Sequence, residues 1–156
     1  MATDAEIWAL LYQAFASCPR PAHFTNYQHC CECFEHDQLL RSRDLETLAI
    51  ADVGSPAWDP ICFITPQGFA YYFPALARLA LSAPDADWGW YGEQLFFHLV
   101  VDGSENRRWQ FCTPQQRQAI AGLIEYLIET RTDLIEVNGC TEMAFDALEI
   151  WSAESP

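Results

Sequence analysis

The amino-acid sequence predicts a mainly α-helical protein, a single domain of five to six packed helices over residues 1–156. Three observations support this prediction. Apolar residues recur at helical spacing in several segments, and each segment begins with a helix-capping residue. Proline and glycine residues separate these segments from one another. The 156 residues include ten Phe, six Trp and six Tyr, which is enough apolar material for one core.

Two capping boxes mark the starts of the first two predicted helices. Thr3–Glu6 has the pattern of a capping box and precedes apolar residues at helical spacing up to Phe15, which predicts a first helix. Thr25–Gln28 is a second capping box, so we expect a second helix from about Asn26 to Arg41. Residues 44–62 contain one glycine and two prolines, which predicts a short helix or turn followed by a loop.

A threonine followed by a proline begins two later helices. The pentapeptides Phe63–Gln67 and Phe111–Gln115 each place threonine at the N-cap and proline at the first helical position. The apolar residues that follow predict one buried face for each helix. Residues 95–101 are apolar on all sides. We favour a buried helix there, with a short β-hairpin over residues 95–112 as the alternative.

The last predicted helix covers residues 142–151 and is capped by Thr141. Helical spacing places Phe145, Leu148 and Trp151 on one apolar face, which we expect to lie against the core. The same spacing aligns three carboxylates on the outward face: Glu142, Asp146 and Glu149.

The stretch "HCCECFEHD", residues 29–37, contains three cysteines, two histidines and three carboxylates. Residues three and four apart are neighbours on a helix, so Cys30 with Cys33, or Cys33 with His36, could supply two ligands to zinc. His29 lies on the stripe beside them. A tetrahedral structural zinc site needs four ligands, so further donors would have to come from elsewhere in the chain. The metal-site candidates are Cys30, Cys33, His36 and His29.

Two other interpretations of the same cysteines remain open. A redox role for the Cys-x-x-Cys pair requires it to lie at a helix N-terminus, where the helix dipole lowers the thiol pKa. The predicted helix starts a turn too early for that, so the sequence disfavours a redox role. In the favoured interpretation, Cys30 and Cys33 pack inward as small apolar residues. Asp37 would then bond to a buried arginine or to a backbone amide.

The charge balance is strongly acidic, with 22 acidic residues against eight basic ones and a formal net charge of −14. All eight basic residues are arginine, which excludes chemistry that depends on a lysine. A charge of this sign repels nucleic acid and anionic membranes and favours a basic protein partner. The N-terminus lacks the pattern of a signal peptide, and the chain has no apolar run of membrane-spanning length. We therefore expect a cytoplasmic protein with reduced cysteines.

Three motifs together resemble a family of small bacterial proteins classed only as a domain of unknown function. They are the "CxEC" of Cys30–Cys33, "FITPQGFAYYFPALARLAL" and "TPQQRQAI". The resemblance covers roughly residues 5–130 and leaves the acidic C-terminal helix unmatched. It implies a helical fold and supplies no activity, cofactor or catalytic residue.

The leading functional hypothesis is a non-enzymatic protein-binding module, like an inhibitor or an immunity protein. An acidic surface would steer a basic partner towards it, and aromatic residues would anchor the complex. The candidate partner-binding residues are Glu142, Asp146, Glu149, Trp88, Trp90 and Tyr91. The first alternative is a small zinc protein that uses the cysteine cluster, and the second is a DNA mimic. We interpret His98 as a hydrogen-bonded core histidine rather than a base or a ligand.

Overall fold

The computed structural model describes residues 1–154, apart from the side chain of residue 104. Over these residues the chain is mainly helical and forms one compact domain, as predicted. Six of its nine α-helices have ten residues or more, and three have only four to six. The helices are α1 Asp4–Phe15, α2 Cys31–Arg41, α3 Ile50–Val53, α4 Pro66–Leu81, α5 Tyr91–Val100, α6 Arg107–Phe111, α7 Pro114–Thr130, α8 Thr132–Val137 and α9 Thr141–Ser152.

The prediction of five to six helices is too low, because it omits short helices such as α6 and α8. The alternative of a β-hairpin over residues 95–112 is wrong, since this segment contains the end of α5 and all of α6. Asp102 and Gly103 have positive φ angles of 65° and 51°, which turn the chain after α5. The Asn106 side chain then accepts hydrogen bonds from two backbone amides and caps α6.

The predicted start of α2 is also wrong, because the helix begins at Cys31 rather than near Asn26. The Thr25 hydroxyl does not cap a helix; it donates a 2.7 Å hydrogen bond to the Cys33 carbonyl. Thr25 also forms an isolated antiparallel bridge with Ile64. The Asp37 carboxylate accepts the amide hydrogens of Phe24 and Thr25, which holds this segment away from helical geometry.

The long helix α4 lies at the centre of the core, where twelve of its sixteen residues are buried. It packs against α1 partly through Phe15 and Phe73, whose ring centroids are 5.2 Å apart. Indole N–H groups from outside α4 satisfy carbonyls at its surface. Trp8 donates to the Pro74 carbonyl, and Trp90 donates to the Ala80 carbonyl. The indole rings of the partly buried Trp8 and the buried Trp90 therefore connect the flanking segments to the central helix.

The predicted buried face of the last helix, α9, is confirmed for Trp151 and wrong for Phe145. Ala144, Ala147 and Trp151 are buried, whereas Phe145 is 54% exposed. Small alanine side chains let α9 lie close to its neighbours, and the Trp151 indole donates to the Leu99 carbonyl on α5. Phe145 consequently lies on the acidic outer face instead of in the core.

Candidate metal centre

The N-terminus of α2 carries the cysteine pair that the sequence singled out. Cys30 is the N-cap residue of α2, and its sulfur accepts a hydrogen bond from the Cys33 amide at 3.4 Å. Unpaired amide groups and the helix dipole make this end of a helix favourable for negative charge. The Cys30-x-x-Cys33 pair therefore does lie at a helix N-terminus, and the objection raised against thiolate chemistry at this pair disappears.

Three potential ligand atoms converge here, one each from His29, Cys30 and Cys33, and all lie within 4.8 Å of one another. The Nδ1 atom of His29 is 3.8 Å from the Cys33 sulfur. Around tetrahedral zinc, with Zn–S near 2.3 Å and Zn–N near 2.0 Å, ligand atoms are separated by about 3.5–3.8 Å. The arrangement thus needs only small side-chain adjustments to hold an ion of this kind.

The two thiols have different proton affinities because their surroundings differ. The pKa of Cys30 is lowered to about 7, mainly by the hydrogen bond from the Cys33 amide and, to a smaller extent, by hydrogen bonds with the His29 and Cys33 side chains. Burial and the neighbouring Cys30 raise the pKa of Cys33. Cys30 is exposed and Cys33 is buried. Near neutral pH, Cys30 is therefore the thiol that is ready to act as a thiolate ligand or nucleophile.

His36, a predicted member of the metal site, does not join this group. Its ring is fully buried and lies against Trp58 and Phe63, with ring centroids 4.6 and 5.1 Å away. Its Nε2 atom contacts the Glu32 carboxylate at 3.3 Å. His36 thus packs among aromatic rings. The histidine that lies beside the thiols is His29, just before the first residue of α2.

Asp37 holds the segment that precedes the metal centre. The Asp37 carboxylate accepts from the amides of Phe24 at 2.6 Å and Thr25 at 3.1 Å, and it contacts His23 Nδ1 at 2.7 Å. Burial acts to raise the pKa of Asp37, but the bonds from His23 and the two amides outweigh it and lower that pKa. The prediction that Asp37 bonds to a backbone amide is confirmed.

The predicted partner-binding residues fall into two groups. Glu142, Asp146 and Glu149 are exposed on α9, and Trp88 is 41% exposed. Trp90 and Tyr91 are only 5% and 2% exposed, so they are core residues and present no surface to a partner.

A second cluster, which the sequence analysis missed, consists of Asp59, Cys62 and His98. Its potential ligand atoms also lie within 4.8 Å of one another. His98 is a buried, hydrogen-bonded histidine, as predicted, with Nε2 2.6 Å from Asp59. The position of Asp59 before "PIC" is a local sign that it caps a turn, but no local pattern relates this turn to His98.

Comparison with known proteins finds no matching family model, no similar curated protein and no similar solved structure. The resemblance to a bacterial family of unknown function therefore stays a prediction. Among the helices of residues 1–154, none combines the length and apolar character needed to cross a membrane.

Proposed function

We propose that the protein is a small zinc-binding protein and that His29, Cys30 and Cys33 are three of its zinc ligands. The observation that carries this proposal is the convergence of two sulfurs and one imidazole nitrogen within 4.8 Å at the start of α2. Thiolate and imidazole ligands favour zinc over the oxygen-seeking ions Mg²⁺ and Ca²⁺. The net charge of −14 also favours cation binding.

A zinc ion held by three protein ligands has a fourth position for water or another small ligand. Sites of that type are typical of reactive zinc, whereas structural zinc is enclosed by four protein ligands. His29 and Cys30 are exposed, so this position would face solvent. Among the described residues, no fourth His, Cys, Asp or Glu atom joins the group.

The direct test is the zinc content of protein purified without chelator and dialysed against micromolar zinc. We expect Cys30→Ser and His29→Ala to bind one zinc fewer per chain than the wild type. The matched control is Cys31→Ser, because Cys31 is exposed and adjacent to Cys30 but is not in the ligand group. Equal zinc content in the wild type and Cys30→Ser, or an equal loss in Cys31→Ser, would contradict the proposal.

A second candidate function is binding of a basic protein without catalysis, and the outer face of α9 supports it. Phe145 is 54% exposed on this helix. The exposed carboxylates of Glu142, Asp146 and Glu149 surround it in sequence. An exposed aromatic ring among carboxylates suits a partner that has an apolar contact framed by arginine or lysine. The alternative of a DNA mimic needs a longer row of carboxylates and stays a prediction.

This second function can be tested with an arginine-rich peptide that has one central tryptophan as the probe. In NMR titrations we expect chemical-shift changes centred on α9, with binding that weakens as salt rises. Replacing Glu142, Asp146 and Glu149 by alanine should weaken binding more than the control triple variant Glu46→Ala, Glu125→Ala and Glu129→Ala, whose residues are also exposed. Equal weakening of binding by both variants would show that the peptide responds to net charge alone and does not recognise the outer face of α9.

A further inference from the structure

A cleft of about 500 Å³ lies outside the proposed zinc centre. It lies between the 3₁₀ turn Pro60–Cys62, helix α5 and the start of α9. Its lining includes Asp59, Cys62, Trp88, Gln94, Phe97 and Met143. Cys62, Trp88 and Phe97 are exposed, so the cleft is accessible from solvent.

The cleft contains a carboxylate that the fold holds firmly in place. One oxygen of Asp59 accepts from the Ile61 amide at 2.9 Å and thereby caps the turn. The other oxygen contacts the Gln94 amide nitrogen and His98 Nε2, each at 2.6 Å. The side chains of Asp59 and His98 are each only 1% exposed. This is a built polar site rather than a solvated acidic surface.

The polar groups bonded to the Asp59 carboxylate are the Ile61 amide, the Gln94 side-chain amide and the His98 ring. The nearby Arg108 guanidinium donates to the carbonyls of His98 and Ile61, at 3.0 and 2.5 Å. Among the described residues, Asp59 and Arg108 form no ion pair. A bound cation would stabilise a buried carboxylate in these surroundings.

The cluster also includes a thiol, because the Cys62 sulfur lies within 4.8 Å of the Asp59 and His98 ligand atoms. Although Cys62 as a residue is exposed, packing around its sulfur and the Asp59 carboxylate raise the pKa of this thiol. A raised pKa leaves Cys62 protonated and weakly nucleophilic at neutral pH. A thiol, an imidazole and a carboxylate together form a ligand set that suits a transition metal.

We propose that Asp59, Cys62 and His98 form a second metal site, which takes a divalent transition metal such as Zn²⁺ or Co²⁺. On binding, the Cys62 thiol releases its proton to solvent. The metal replaces the Nε2 proton of His98 that bonds Asp59, and Nδ1 takes up a proton, so the ring stays neutral. Asp59 and His98 separate from 2.6 Å to about 3.3 Å around an ion with ligand distances near 2.0 Å. Gln94 stays bonded to the carboxylate and orients it.

This second site is tested with Co²⁺ on the double variant His29→Ala, Cys30→Ser, which lacks two ligands of the first centre. Both replaced residues are exposed, so the fold should be retained. We expect this variant to bind one Co²⁺ with a thiolate-to-cobalt charge-transfer band. Adding Cys62→Ser should abolish the band, and adding Asp59→Asn, which keeps the shape of the side chain, should weaken binding at least tenfold.

The outcomes separate this proposal from the first one. A double variant that binds no Co²⁺, or that binds it without a charge-transfer band, would overturn the second site. A thiolate-to-cobalt charge-transfer band that persists in the Cys62→Ser variant would also overturn the second site. Failure of the first zinc centre would appear differently, as equal Co²⁺ binding by the wild type and by the double variant. Circular dichroism of the metal-free Cys62→Ser and Asp59→Asn variants shows whether a loss of binding reflects a loss of fold.

Discussion

Removing the Asp37 carboxylate should destabilise the fold severely. Asp37 is 2% exposed and is the hydrogen-bond acceptor for the buried amides of Phe24 and Thr25. Each buried donor that loses its partner costs about 1–3 kcal/mol. The variant Asp37→Ala leaves both amides without their acceptor and also loses the His23 contact. We expect a loss of about 3–5 kcal/mol in the free energy of unfolding, out of a typical total of about 5–15 kcal/mol.

Urea denaturation at a series of pH values tests this reasoning, with Asp37→Asn as the uncharged comparison. The pKa of Asp37 is lowered in the folded state from its value in the unfolded chain, near 3.8. Its carboxylate therefore contributes full stability above the unfolded pKa and loses it as the pH falls through the folded pKa. The stability difference between wild type and Asp37→Asn should be constant from about pH 6 to 8 and should shrink below about pH 4.

Two results would refute this account. One is a loss of less than about 1 kcal/mol in the free energy of unfolding of Asp37→Ala. That result would mean that the Phe24 and Thr25 amides find other hydrogen-bond acceptors. The other is a difference between wild type and Asp37→Asn that does not change down to about pH 2. The control is Asp146→Ala, which removes an exposed carboxylate on α9 and should change stability by less than about 0.5 kcal/mol.

Two further predictions concern packing and thiol reactivity. Gly92→Ala should destabilise the protein by about 1–3 kcal/mol in urea denaturation, because the added Cβ would overlap the Trp90 ring. Gly122→Ala is the matched helical control, because a Cβ added there meets no heavy atom within 4 Å; it should stabilise the protein by about 0.5–1 kcal/mol. If both variants are more stable than the wild type, the Trp90 ring must move aside for the new Cβ. In metal-free protein, iodoacetamide should modify Cys30 first, at a rate that rises with pH through about 7. Cys112 is buried, and burial raises its pKa to about 12, so mass spectrometry that shows Cys112 modified before Cys30 would contradict the assigned environments.

Three helix starts could be predicted because capping is local. The Thr3 capping box forms as predicted, and Thr65 and Thr113 both cap helices that begin with proline. In each case the capping hydroxyl and the amide it accepts from are three residues apart. A pattern of that length can be recognised in the sequence without knowledge of the fold.

The start of α2 shows where local patterns fail. Thr25–Gln28 has a capping-box sequence. In the fold, however, the Asp37 carboxylate accepts a hydrogen bond from the Thr25 amide, and the Cys33 carbonyl accepts one from the Thr25 hydroxyl. Those partners are eight to twelve residues away, and their bonds outweigh the local preference. This wrong start changed the functional interpretation, because it placed Cys30 one turn inside a helix instead of at its N-cap.

The helical class of the protein, its acidity and its Cys-x-x-Cys pair beside histidine could all be read from the amino-acid sequence. These properties depend on composition and on residues within one helical turn of each other. Only the folded structure shows that His29 rather than His36 joins the thiols, that Trp90 and Tyr91 are buried, and that the ligand atoms of Asp59, Cys62 and His98 lie within 4.8 Å of one another. Those outcomes depend on which distant segments pack together, because burial and contacts between remote residues have no signature in a short stretch of chain.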